Sequence, residues 1–121
     1  MPKENLFVDR IKSIGYAFRG AWLLVRTESS IQIQVVIACI MTLVGFYFEI
    51  SKTEWILQIF AIALVLGVEG LNTGIEKMSD YIQPEFDEKI GFIKDISAGA
   101  VMLVSLAASI VGLIIYVPKI I

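Results

Sequence analysis

The sequence predicts an all-α integral membrane protein of one domain, residues 1–121, with three transmembrane helices behind an amphipathic surface helix. Hydrophobic residues make up 57% of the chain and charged residues 18%, whereas soluble domains are about half apolar and a quarter charged. The runs 29–48 and 96–118 contain no formal charge, and the run 55–75 carries a single carboxylate, Glu69. About twenty mostly apolar residues are enough for a helix to cross the hydrocarbon core. We therefore expect three membrane spans at these positions.

Residue counts exclude several classes of protein. The net charge of −2 gives no sign of a nucleic-acid partner, which would need a basic surface. The sequence has no histidine, so histidine triads and histidine-based zinc motifs are absent. Cys39 is the one cysteine, which excludes an intrachain disulfide framework.

The segment 1–28 is predicted to form an amphipathic helix at the membrane surface. Apolar side chains recur there at steps of three and four, at Phe7, Ile11, Ile14, Phe18, Trp22 and Val25. Charged and polar residues occupy much of the other face, a pattern typical of helices that lie in the interface plane. A helix packed on a soluble partner is the alternative.

The distribution of lysine and arginine predicts the orientation in the membrane. Three spans place the N-terminal segment and the 76–95 loop on one side, with eight basic residues: Lys3, Arg10, Lys12, Arg19, Arg26, Lys77, Lys89 and Lys94. The opposite side has only Lys52 and Lys119. By the positive-inside rule the side with eight charges is cytoplasmic.

A stripe of polar residues follows the second span toward that side. Glu69, Asn72, Glu76 and Asp80 are spaced by three, four and four residues, so on a helix they fall within an arc of about 80°. Glu69 lies roughly 9 Å inside the end of the apolar run. An ionisable residue at that depth is a functional-site hypothesis by default, and a carboxylate there is suited to take a proton from a hydroxyl.

A metal site is the second expectation from the acidic residues. Glu28, at the start of the first span, is level with Glu76 in this topology. Two carboxylates from different helices suit Mg²⁺, which binds a few carboxylates together with phosphate oxygens. Because three helices enclose little volume, we expect a homo-oligomer to shelter this charge.

Two alternatives compete with an enzyme site. The stripe can act as helix–helix glue, since Gly70 and Gly74 form a GxxxG packing pattern. Alternatively, an oligomer can conduct protons or cations along intramembrane acids. The acids occupy only one half of the span, however, and no ionisable residue lies between Ile56 and Val68. The spacing alone predicts an interfacial acidic site that binds metal, and no known nucleotide-binding loop motif is present.

Two segments resemble the signatures of the prokaryotic diacylglycerol kinase family. Residues 68–80, VEGLNTGIEKMSD, resemble the pattern E-x-x-N-[ST]-[AG]-I-E-x-x-x-D. Residues 93–101, IKDISAGAV, look like the second signature, A-K-D-x-x-[AS]-[AG]-A-V. Glu28 falls where the family has a characteristic glutamate before the first span. The resemblance covers nearly the whole chain.

The resemblance implies a homotrimeric lipid kinase of the bacterial inner membrane, with its active site at the cytoplasmic face. ATP, with Mg²⁺ as cofactor, would donate its γ-phosphate to the hydroxyl of a membrane lipid. By position, Glu69 would be the general base and would contact the lipid together with Ala98, while Glu28 and Glu76 would hold the metal. The implied nucleotide-binding residues are Asn72, Lys94, Asp95, Tyr16, Asp80, Glu85 and Asp87.

The lipid substrate differs between two branches of the family. Several apolar segments look more like the undecaprenol kinase branch, namely 45–48, 54–55, 63–66 and 112–119. Undecaprenol is therefore the expected substrate, with diacylglycerol as the alternative. Asp87 and Ala98 depart from the residues that some relatives carry, histidine and serine respectively.

Overall fold

Four α-helices make up the part of the chain that the structure describes, residues 5–121 of a computed structural model. They are α1 (Leu6–Thr27), α2 (Ser29–Tyr47), α3 (Lys52–Ile82) and α4 (Glu88–Ile120). Helices α2, α3 and α4 are each long and apolar enough to cross a membrane, which confirms the three predicted spans. Residues 1–4, including the Lys3 that was counted for orientation, lie outside the described residues.

Local polar side chains cap the starts of α1 and α3. The side chain of Asn5 accepts a hydrogen bond from the Val8 amide at 2.8 Å and caps α1. At the start of α3, Ser51 and Glu54 form a reciprocal capping box. Such caps satisfy amide groups that have no partner within the helix. Helix α1 ends and α2 begins at Glu28, because the backbone of Glu28 is extended, with φ −105° and ψ 116°.

The helices extend beyond the apolar runs. Helix α3 continues to Ile82, just before Gln83-Pro84, and α4 already begins at Glu88. The connection is therefore only 83–87, so most of the 76–95 segment between the apolar runs is helical. Hydropathy detects where the apolar side chains stop, whereas helical hydrogen bonds continue into the polar flanks. As a result, the whole polar stripe lies on one continuous helix.

The bundle has two different ends. Helix α3 runs antiparallel to α4, which it contacts most extensively, while α2 packs on α3 and α1 packs on α2. One end, here called the aromatic end, has a core of Ile50, Ile115 and Tyr116. Partly buried apolar residues surround that core: Met41, Val44, Phe48, Trp55 and Val111. The other end, called the acidic end, contains Glu28, Glu76, Asp80 and Lys94.

Helix α1 has no buried residue. Its large apolar side chains, among them Phe7, Phe18 and Trp22, are more than half exposed in the single chain. A helix with this surface is compatible with the predicted position in the membrane interface, which stays a prediction. Near its C-terminus, Leu24 reaches α3 at Gly70, where an added Cβ atom would lie 3.0 Å from Leu24 Cδ1.

Candidate active site

The polar stripe on α3 runs from a buried half to an exposed half. Glu69 and Asn72 have relative exposures of only 9% and 7%, whereas Glu76 and Asp80 are exposed. A single chain therefore buries the first two residues and leaves the other two exposed, and the oligomer expected to shelter the stripe stays a prediction. The stripe therefore connects solvent with an interior carboxylate along one helix face.

Asn72 is a buried polar residue with an unused hydrogen-bonding atom. Its amide nitrogen Nδ2 donates to Glu76 Oε1 at 3.1 Å. Its carbonyl oxygen Oδ1 is buried and has no hydrogen-bond partner. Leaving such an acceptor unpaired costs about 1–3 kcal/mol, so the site is suited to a ligand that brings a donor or a bound cation.

Glu28 forms an ion pair with Lys77, the residue that follows Glu76 on α3. Lys77 Nζ lies 2.9 Å from Glu28 Oε1, which brings the α1–α2 junction against α3. The ion pair places Glu28 beside the helix that carries the stripe, within one chain. From the sequence, Lys77 was expected only to be one of the eight basic residues that predict the orientation. Its position directly after Glu76 was the signal that could have indicated a role in the site.

Asp80 and Lys94 connect α3 to α4 at the acidic end. Lys94 Nζ donates to Asp80 Oδ1 at 2.5 Å, joining residues from the two predicted signature segments. Both side chains are at least one-third exposed, so the pair is accessible to solvent. Two of the expected nucleotide-binding residues are thus brought together.

The remaining expected residues are less closely connected. Asp95 and Ala98 are exposed on the first turns of α4, and Glu85 is exposed in the connection. Tyr16 is exposed on α1. Asp87 has a local structural role, because its Oδ1 accepts hydrogen bonds from the amides of Lys89 and Ile90 at the start of α4. A nucleotide contact by Asp87 stays a prediction, as do contacts by the other three.

The donor set fits a magnesium ion that is completed by phosphate. Among residues 5–121 there is no cluster of three or more acidic, cysteine or histidine side chains that could hold a metal alone. Mg²⁺, however, usually takes one or two protein carboxylates together with water and substrate phosphates. Glu28, at the α1–α2 junction, pairs with Lys77, the residue that follows Glu76 on α3, so these two carboxylates are the candidate protein ligands.

Comparison with known proteins supports the resemblance seen in the sequence. Residues 15–116 match the family described as "Prokaryotic diacylglycerol kinase". The chain is 36% identical over 108 residues to the undecaprenol kinase of Bacillus subtilis, covering 89% of this chain and 88% of the relative. It is 31% identical to the diacylglycerol kinase of Haemophilus influenzae, covering 94% of both chains. The diacylglycerol kinase of Escherichia coli K12 is 29% identical, with 86% and 85% covered.

Proposed function

This chain belongs to the prokaryotic diacylglycerol kinase family and is a lipid kinase, and we propose that it transfers the γ-phosphate of ATP to the hydroxyl of undecaprenol. The burial of Glu69 on the same helix face as the exposed Glu76 and Asp80 is the observation that carries this proposal. A lipid hydroxyl approaches from the membrane and a nucleotide from water. A face that connects the two environments suits a reaction between them.

Glu69 is the general base in this proposal. Its carboxylate accepts the proton of the lipid hydroxyl, and the hydroxyl oxygen forms a bond to the γ-phosphorus. The bond between that phosphorus and the β,γ-bridging oxygen breaks, and ADP leaves. General-base catalysis requires the base within hydrogen-bond reach of the proton, and a buried carboxylate near the interface meets a lipid headgroup better than an exposed one does.

The residues nearer water bind and orient the nucleotide. Glu28 and Glu76 would hold Mg²⁺, which when bound would supply positive charge against that of the phosphates. Four residues orient the nucleotide: Asn72, Lys94, Asp80 and Asp95. The other three expected nucleotide-binding residues, Tyr16, Glu85 and Asp87, lie farther out. Ala98 contacts the lipid. Phosphoryl transfer depends mostly on positioning and charge stabilisation, which agrees with a site rich in charged side chains and without a covalent nucleophile.

Undecaprenol is proposed over diacylglycerol on two grounds. The relative named undecaprenol kinase is 36% identical to this chain, compared with 31% and 29% for the relatives named diacylglycerol kinase. The apolar segments 45–48, 54–55, 63–66 and 112–119 point the same way. Family membership also favours a kinase over an ion-conducting oligomer.

The proposed assembly is a homotrimer in the inner membrane of a bacterium, with the active site at the cytoplasmic face. The excess of lysine and arginine on the side of the acidic end supports this orientation. The particle mass in detergent would then equal three chains after correction for bound detergent. A mass of one chain would contradict the trimer without affecting the chemistry.

Transfer of label from ATP tests the proposed reaction. Purified protein in mixed micelles is given γ-labelled ATP and Mg²⁺, with undecaprenol or diacylglycerol offered separately, and with EDTA as the metal-free control. We expect label in undecaprenol that EDTA abolishes. Label in diacylglycerol alone would replace the proposed substrate by the alternative, and label in neither lipid from folded protein would overturn both.

A further inference from the structure

Lys77 forms an ion pair with Glu28, whose carboxylate is also needed to hold the metal in the proposed reaction. Its ammonium group pairs with Glu28, one of the two carboxylates proposed to hold the metal. The Lys77 side chain is 68% exposed, whereas that of Glu28 is 22% exposed. The lysine therefore reaches in from solvent to a carboxylate that is largely covered.

The charges around Lys77 make an exchange of partners favourable when metal and nucleotide arrive. Glu76 and Asp80 also act on the ammonium group electrostatically, so in the free protein it neutralises an acidic surrounding. A cation bound by Glu28 and Glu76 would repel the ammonium group and compete with it for the same carboxylate. The nucleotide brings phosphate oxygens, which attract a lysine ammonium.

We propose that Lys77 is an exchangeable counter-ion: it pairs with Glu28 in the empty site and moves to a phosphate oxygen of the nucleotide when metal binds. This inference rests on the proposed function, because it assumes that the site binds a metal-bound nucleotide. The movement needs no change of backbone, since lysine has a flexible four-carbon stem and the side chain is already largely in solvent. Lys77 is thus a nucleotide-binding residue whose resting position keeps Glu28 neutralised.

A purely structural role for this ion pair makes different predictions. The pair would then only tie the α1–α2 junction to α3, and its loss would lower the thermal stability slightly, as for other exposed pairs. Removal of the Lys77 ammonium group would then change neither the metal affinity nor the nucleotide affinity specifically. The exchange instead predicts effects of opposite sign on these two affinities.

Binding measurements on Lys77→Met test the exchange without relying on turnover. Mn²⁺ replaces Mg²⁺ as a paramagnetic probe, and the free Mn²⁺ is measured by electron paramagnetic resonance in the absence of nucleotide. We expect Lys77→Met to bind Mn²⁺ about two- to fivefold more tightly, because the competing ion pair is gone. With Mg²⁺ present, a non-hydrolysable ATP analogue should bind at least about fivefold more weakly by titration calorimetry.

Three further variants make the result specific. Lys77→Arg keeps the positive charge and should restore much of the nucleotide affinity. Lys89→Met removes a lysine from the start of the neighbouring helix α4 and should change neither affinity. In a Glu28→Gln background, Lys77→Met should no longer tighten Mn²⁺ binding, because a double-mutant cycle reports coupling only between interacting residues.

Two outcomes would overturn the exchange. Unchanged or weaker Mn²⁺ binding by Lys77→Met would show that the ion pair does not compete with metal. Unchanged nucleotide affinity would show that Lys77 does not move to a phosphate. Failure of the proposed function is distinguishable from both, because the wild-type protein itself would then bind no ATP analogue.

Discussion

The two ends of the bundle handle polar groups in opposite ways. At the aromatic end, the Tyr116 hydroxyl donates to Gln58 Oε1 at 2.5 Å, and Gln58 Nε2 donates to the Met41 carbonyl at 3.0 Å. This buried chain links all three spanning helices, and both side chains are partnered. At the acidic end, the buried Asn72 has an acceptor without a partner, and its charged neighbours form pairs that are exposed to solvent.

The difference indicates which end is built for stability and which for a ligand. Polar networks that are fully hydrogen-bonded specify how helices pack. A buried acceptor without a partner lowers stability unless something binds to it. The aromatic end thus fixes the arrangement of helices, and the acidic end is the one proposed to hold the reacting groups.

Glu69→Gln is expected to give the largest effect. The amide fills the same volume but cannot accept the proton, so turnover should fall by about 10²–10⁴-fold, the range for loss of a general base. Initial rates of lipid phosphorylation measure this, with circular dichroism to verify folding. Glu54→Gln is the matched variant at the aromatic end and should keep its turnover. Wild-type rates in Glu69→Gln would exclude it as the base.

Gly45→Leu is expected to show that the aromatic end controls stability. A Cβ atom at Gly45 would lie 2.7 Å from Trp55 Cη2, so a larger side chain must displace the indole, whose ring packs on Phe46 at 4.8 Å. Overpacking of this kind costs about 3 kcal/mol, which thermal unfolding in detergent would detect. Gly15→Leu, where an added Cβ meets no atom within 4 Å, is the control. Equal melting temperatures for the two variants would contradict the close contact.

Most of the fold, but only part of the site, follows from the sequence. Three runs of about twenty apolar residues were enough to predict α2, α3 and α4, because crossing a bilayer depends mainly on length and hydropathy. The spacing of Glu69, Asn72, Glu76 and Asp80 was enough to place them on one helix face. These are local properties of the chain.

What the sequence could not provide depends on how the helices rotate about their axes. Gln58 and Tyr116 are 58 residues apart, and nothing in either segment indicates that they form a hydrogen bond. The partner of Glu28 also follows from packing at the α1–α2 junction, which brings the Lys77 ammonium group within reach. The depth at which the stripe becomes buried follows from contacts such as Leu24 against Gly70.

Lys119→Met is expected to give the smallest effect. Lys119 Nζ lies 3.0 Å from Glu54 Oε2, and both side chains are about one-quarter exposed. Removing a pair of this kind should lower the melting temperature only slightly, and turnover should not change. Because salt screens such pairs, the difference from wild type should shrink at high ionic strength. Lys52→Met removes an exposed lysine at the same end and serves as control.

The most direct test of the contrast between the two ends compares Gln58→Leu with Asn72→Leu, measuring unfolding free energy and turnover on the same samples. Gln58→Leu leaves the buried Tyr116 hydroxyl without its acceptor and should lower stability by about 1–3 kcal/mol while turnover persists. Asn72→Leu removes an acceptor that has no partner and a donor whose acceptor, Glu76, is exposed to water. Stability should therefore be equal or higher, while turnover falls at least about tenfold. If Asn72→Leu instead destabilises the protein as much as Gln58→Leu and retains its turnover, the acidic end is a structural feature and the assignment of the active site is wrong.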